Sequence, residues 1–197
     1  MNICEKITLN NSRSPWKRLS SKKIYDNPWI CIDEDQVINP SGNLGIYGKV
    51  QMKNLAIGII PIDPDSNTWL VGQYRYMLDQ YSWEIPMGGC PQGELPEEAA
   101  LRELKEETGL VANRLTRIQE IHTSNSVTNE FGIVFLAENL EQKNAELEET
   151  EDITTVKIPL IEAIQMAYEN KITDSISVSG LLKVALLKKI ELPPAKK

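Results

Sequence analysis

Gly88-Gly89-Cys90-Pro91-Gln92-Gly93-Glu94-Leu95-Pro96, followed by Glu97 to Leu101 and then Arg102-Glu103-Leu104-Lys105-Glu106-Glu107-Thr108-Gly109-Leu110, is a glycine-rich loop feeding a short acidic helix. Pro96 suits the first helical turn, where its missing N–H would be unbonded anyway, and Gly109 suits the stop because it takes a left-handed conformation without a Cβ clash. Between these brackets Ala100 and Leu104 mark a buried stripe. Glu103 neighbours Glu106 and Glu107 on another face. Like charges at that spacing repel, so the cluster asks for a counter-charge. Arg102 reaches Glu106 at i+4, whereas Glu103 and Glu107 have only Lys105 nearby, and it points elsewhere. A solvated acidic face is one answer. A hard divalent cation held by a few carboxylates and substrate phosphates is the other.

Working outward, Leu55 to Pro61 is apolar on both faces, as a central strand should be, and Asp63 to Asn67 turns it into a strand from Thr68 to Tyr76. Tyr81 to Pro86 is a further short strand delivering the chain to Gly88. After the helix, Leu115 to His122 and Glu130 to Glu138 read as strands and Asn139 to Thr150 as an acidic loop. Asp152 to Ile158 reads as a strand, and Pro159 opens a helix to Glu169. Asp174 or Ser175 caps a last helix through Lys189, with Val178, Leu181, Leu182, Ala185 and Leu186 as its apolar stripe. Before the central strand, residues 10–23 read as an irregular polar lead-in. Trp29 to Ile38 and Leu44 to Met52 form a hairpin about Asn39-Pro40-Ser41-Gly42-Asn43. Strands with interspersed helices give an α+β fold, a mixed sheet covered by helices. The expected divisions are 1–53, a lead-in and small β subdomain, then 54–190, the main domain, then a tail at 191–197.

Composition limits what this fold can do. With 197 residues, 41% of them hydrophobic, the chain can bury a real core, and a net charge of −7 argues against nucleic-acid or anionic-membrane partners. Cys4, Cys31 and Cys90 form neither a metal-ligand spacing nor an even set, which suits a reducing cytoplasm. The opening residues carry no signal-like apolar run. A single histidine, His122, excludes a multi-histidine metal site.

Gly88, Glu94, Arg102, Glu103, Leu104, Glu106, Glu107, Gly109 and Leu110 stand in the register of the Nudix hydrolase signature, which this chain resembles at every specified position. Leu70 to Arg75, Trp83 to Gly88, Glu149 to Ile153 and Ile172 to Ser175 further resemble the branch acting on ADP-ribose and other nucleoside diphosphate sugars. The similarity covers roughly residues 22–187. The resemblance implies an α/β/α sandwich with a small N-terminal β subdomain, a homodimer with sites built from both chains, and Mg²⁺ or Mn²⁺ as cofactor. It implies Glu103, Glu107 and the Met87 carbonyl as metal ligands, and Glu106 as a further ligand or a partner of Arg102. Glu94 would support the loop-helix unit, and Glu149 or Glu151 would activate water. Arg75 and Glu84 would serve the substrate, with Trp29 and Tyr47 stacking its base; for Trp29, ordinary core packing is the other reading. The implied reaction gives a nucleoside monophosphate and a sugar phosphate. GDP-mannose, ADP-glucose or a dinucleotide are alternative substrates, and a non-cleaving ligand sensor is the rival from another class. Where many ADP-ribose hydrolases carry Pro-Gly in the loop downstream of that signature, this chain holds Asn125-Ser126.

Overall fold

The computed structural model describes residues 13–143 and 152–191, which fall into two compact units. The smaller comprises the described residues up to Lys53 together with Ser126–Thr128. Its antiparallel sheet has the order β1 (Lys17–Asp26), β2 (Ile30–Ile38), β3 (Leu44–Met52). The turn at Asn39 is stapled by its own side chain, whose Oδ1 accepts from the N–H groups of Ser41 and Asn43 at 3.0 Å each. Strand β1 corrects the expectation of an irregular lead-in. All ten of its residues are exposed, so there is no buried face and no alternation to read; backbone pairing with β2, from Lys17 opposite Ile38 to Asp26 opposite Cys31, makes the strand.

The larger unit contains a four-stranded mixed sheet and a three-stranded antiparallel one. The first has the order β7 (Met87–Cys90), β4 (Leu55–Pro61), β9 (Phe131–Gln142), β8 (Leu110–His122), with β4 and β9 parallel. The second has the order β10 (Thr154–Pro159), β5 (Asn67–Arg75), β6 (Gln80–Glu84). Strand β4 explains the layering. Its Ile57 and Ile59 enter a core with Leu104, Leu110 and Phe135, against helix α1 (Pro96–Thr108). Ile60, on the opposite face, enters a second core with Leu70, Ile85, Ile164 and Leu181, against α2 (Leu160–Tyr168) and α3 (Ser175–Lys188). A strand buried on both faces therefore has helices on both sides. No helix among the described residues is long and apolar enough to cross a membrane.

Two elements depart from expectation. Strand β8 starts at Leu110, directly after the helix stop, because pairing with β9 extends through residues such as Asn113 and Arg114 that have no apolar pattern. Helix α3 buries Ile176, Ser177, Gly180, Leu181, Val184 and Ala185, while Leu186, expected in the stripe, is 77% exposed. Apolar residues surround this helix, so the small residues select the face. A Cβ on Gly180 would lie 3.0 Å from Val134 and 3.1 Å from Ile60.

The junction of β4, β5 and β10 is fastened by Asp63, which accepts from the Asn67 N–H at 2.8 Å and pairs with Lys157 at 2.7 Å. Burial pushes the Asp63 carboxyl up, but Lys157 and Asn67 overcome it and bring it down to about 2. A depressed carboxylate stabilises above its unfolded value of about 4 and loses that stabilisation as pH falls through its folded value. The Asp63→Asn variant is therefore expected to melt below the parent at neutral pH, with the gap in Tm closing between about pH 4 and 2. A gap that stays constant over that range in thermal melts would remove the ion pair from the account.

Candidate active site

Helix α1 presents its carboxylates to strand β7. Leu95 is its N-cap and Gly109, at φ 70°, its left-handed stop. Glu103 and Glu107 are only 8% and 3% exposed, uncommon for charged side chains unless they are held by partners. Glu107 Oε2 accepts the Met87 N–H at 2.9 Å, and Glu103 lies against Gly88 so closely that a Cβ there would sit 2.0 Å from its carboxyl carbon.

Arg102 gathers the rest. Its guanidinium donates to both Glu94 oxygens at 3.0 Å, to Glu103 Oε1 at 2.8 Å, to Glu106 Oε2 at 2.9 Å and to the Gly89 carbonyl at 2.9 Å. The planar five-donor fork allows one side chain to tie the glycine loop to the helix. Glu94, held chiefly by that bond, is pulled below the usual carboxylate range. The expectation that Glu103 lacks a basic partner is thus corrected. Neighbours at i+1 do not normally face each other, but the long arginine curls back to reach it.

Beyond Met87 opens a cavity of about 500 Å³, lined by Arg75, Glu84, Met87, Thr123, Glu130 and Asp174 and bordered by the exposed Tyr76–Leu78 turn. Arg75 binds Glu84 through two parallel N–H···O bonds, Nε to Oε1 at 2.9 Å and Nη2 to Oε2. Glu84 is 3% exposed, and its pairing raises Arg75 further into its charged range. Asp174 caps α3 by accepting the Ser177 N–H at 2.7 Å. Burial pushes its carboxyl up, Ser177 draws it down, and Glu84 adds to the rise.

Residues 52–176 match the NUDIX domain, and residues 16–50 match the nucleoside diphosphate sugar hydrolase N-terminal domain. The chain belongs to the Nudix family. It is 30% identical over 161 residues to the ADP-ribose pyrophosphatase of Bacillus subtilis (strain 168), covering 81% of this chain and 86% of that one. The ADP-ribose pyrophosphatase of Mycobacterium tuberculosis (strain ATCC 25618 / H37Rv) is 30% identical over 174 residues, 86% of this chain and 83% of that protein. A solved structure described as an ADP compounds hydrolase superposes with a TM-score of 0.80 at 24% identity, over 91% of this chain and 97% of that one, and so shares the fold.

In this Nudix chain the expected site residues are distributed as follows. Glu103, Glu106 and Glu107 stand together on α1; of the two roles open to Glu106, the ion pair with Arg102 is present. Arg75, Glu84 and Met87 meet at the cavity, with both Glu84 oxygens turned to Arg75. Trp29 and Tyr47 lie in the smaller unit. Trp29 is 67% exposed, which removes core packing as its explanation. Tyr47 donates its hydroxyl to the Ser126 carbonyl at 2.6 Å and meets Trp16 edge-on at 5.3 Å, a neighbour the sequence did not single out. Glu149 and Glu151 lie outside the described residues.

Sequence reasoning missed Thr123, Glu130 and Asp174 as cavity residues. Asp174 was legible only as a cap and in the family-like segment Ile172 to Ser175, and Thr123 bonds Glu130 across a polar loop.

The carboxylates fit a hard cation. Among the described residues no three His, Cys, Asp or Glu side chains form a ready cage. Mg²⁺ needs none, since one or two carboxylates with water and substrate phosphate complete its shell. Glu103 and Glu107, buried and fixed against Gly88 and Met87, supply oxygens of that kind.

Proposed function

We propose that the protein hydrolyses the diphosphate linkage of ADP-ribose or a related nucleoside diphosphate sugar, releasing a nucleoside monophosphate and a sugar phosphate. The observation that carries this reading is Met87. Its N–H is bonded to Glu107 while its side of the chain lines the cavity holding Arg75, so the carboxylate helix and a fixed guanidinium serve one place. The two ADP-ribose pyrophosphatases among its relatives support the substrate class.

Glu103, Glu107 and the Met87 carbonyl would hold Mg²⁺, or Mn²⁺ in its place. When bound, the ion supplies Lewis acidity toward the diphosphate and lowers the pKa of an attacking water. Arg75, locked by Glu84, meets a phosphate oxygen with the guanidinium donors that Glu84 leaves over. Glu149 or Glu151 takes the water's proton. Trp29 and Tyr47 hold the base, one ring from each subunit.

The test is a turnover panel with Mg²⁺. ADP-ribose is expected to be cleaved, with other nucleoside diphosphate sugars at comparable kcat/KM and triphosphates poorer by about tenfold or more. Triphosphates or capped RNA hydrolysed tenfold better than every diphosphate sugar would overturn the substrate class. Trp29→Ala should raise KM on the best substrate, since stacking is worth about 1–3 kcal/mol per base.

The working unit is a homodimer in which residues from about 24 to 53 cross to the partner. The fully exposed strand β1, with Leu19, Ile24 and Tyr25 open, supports this. Sedimentation at micromolar concentration should give twice the chain mass; a fully active monomer would end the proposal. The odd count of three cysteines supports residence in the cytoplasm; among the described residues Cys31 and Cys90 are free, and burial pushes the Cys90 thiol up.

A further inference from the structure

Strand β6 ends at Glu84 and β7 begins at Met87, so Ile85 and Pro86 alone carry the chain from one sheet of the larger unit to the other. Proline has no N–H, which leaves the Ile85 amide as the only backbone donor in this link. Ile85 is fully buried, and a buried donor needs an acceptor. It finds one 92 residues away, in the hydroxyl of Ser177 at 3.0 Å.

Ser177 is itself 0% exposed and lies in the first turn of α3. A hydroxyl has one proton and two lone pairs. One lone pair receives the Ile85 N–H, and the Ser177 backbone N–H bonds the Asp174 carboxylate at 2.7 Å, which holds the residue in place. The ends of the link are anchored separately, Pro86 by its carbonyl to the Ile59 N–H at 2.8 Å and Met87 by its N–H to Glu107 at 2.9 Å. Upstream, Glu84 grips Arg75. A rotation of the Ile85 peptide would therefore swing the residue that orients the guanidinium on one side and the residue that faces the carboxylate helix on the other.

We propose that Ser177 is a positioning residue of the active site: anchored to Asp174 through its backbone N–H, it offers the hydroxyl that fixes the Ile85–Pro86 link and thereby sets both the Arg75 guanidinium and the Met87 peptide. The helix cap is thus part of the catalytic frame, although neither Ser177 nor Asp174 needs to touch the reacting phosphate. This rests on reading the site as a diphosphate hydrolase.

Three full-length variants test it. Ser177→Ala removes the acceptor, Ser177→Thr keeps the hydroxyl, and Asp174→Ala removes the carboxylate and leaves Ser177 in place. Each is assayed with ADP-ribose and Mg²⁺ well below its own Tm, and Ile85 amide exchange is followed by NMR. For Ser177→Ala the expected result is exchange at Ile85 at least about tenfold faster, kcat down about tenfold and KM within threefold, since positioning acts mainly in the transition state. Ser177→Thr should recover kcat to within threefold of the parent. Should the alanine variant fail to fold, Asp174→Ala must show the same pattern at smaller amplitude. A parental kcat in Ser177→Ala, or in Asp174→Ala where that variant stands in for it, overturns the proposal; so does a loss in Ser177→Thr equal to that in Ser177→Ala. If the parent itself does not cleave ADP-ribose, the functional reading has failed. Mn²⁺ titration then decides the positioning role: affinity about fivefold weaker in Ser177→Ala and unchanged in Ser177→Thr supports it, and equal affinity in all three proteins ends it.

Discussion

Glu107→Gln is expected to lower kcat by about a thousandfold, equivalent to about 4 kcal/mol in the barrier, while the protein stays folded. Glutamine keeps the length and a carbonyl oxygen, so the bond from the Met87 N–H at 2.9 Å can persist and with it the contact between α1 and β7. What disappears is the negative charge, buried at 3% exposure, where it would act on a bound cation with little screening by water. Glu103→Gln should behave similarly in turnover but cost more in Tm, because it also weakens the 2.8 Å bond from Arg102. The measurement is steady-state turnover at saturating Mg²⁺ beside a thermal melt. Near-normal kcat in either variant would withdraw that residue as a metal ligand, and Mn²⁺ binding unaltered by both would withdraw the pair.

Helix α1 was legible because its information is local. Pro96 and Gly109 bracket it, and the spacing from Gly88 to Gly109 leaves few alternatives. The central position of β4 was legible for a related reason, an apolar run with no polar face. Strand β1 was not, because its pairing involves backbone groups that every residue carries and its side chains share no buried face. The buried face of α3 was hidden by the opposite condition, too many apolar residues, with Ser177 and Gly180 deciding where the helix could approach. The cavity was the least legible part. Arg75, Thr123 and Asp174 come from a strand end, a loop and a helix cap, and only the folded topology brings them together. Even Arg102, plainly in the motif, did more than spacing suggested: the i+4 pair to Glu106 could be read, but the bonds to Glu94 and Gly89 depend on the loop folding back over the helix.

Gly88→Ala is the second large effect expected. The parent residue is needed for space, since an added Cβ would stand 2.0 Å from the Glu103 carboxyl carbon and 2.2 Å from both of its oxygens. The strand cannot yield, because Gly88 is paired opposite Ile57 in β4, itself fully buried. The carboxylate must therefore leave its place and loosen its bond to Arg102. kcat should fall by about a hundredfold or more, comparable to direct loss of a metal-binding oxygen, and Tm should drop as well. Adding Glu103→Ala to Gly88→Ala removes the clash. The double variant should regain part of the lost Tm and none of the activity, the non-additivity expected of a direct steric conflict between the two residues. Gly45→Ala serves as the control, for a Cβ there meets nothing within 4 Å and Tm should scarcely move. Parental turnover by Gly88→Ala would mean that Glu103 works equally well from another position, and its assignment as a fixed ligand would have to be abandoned.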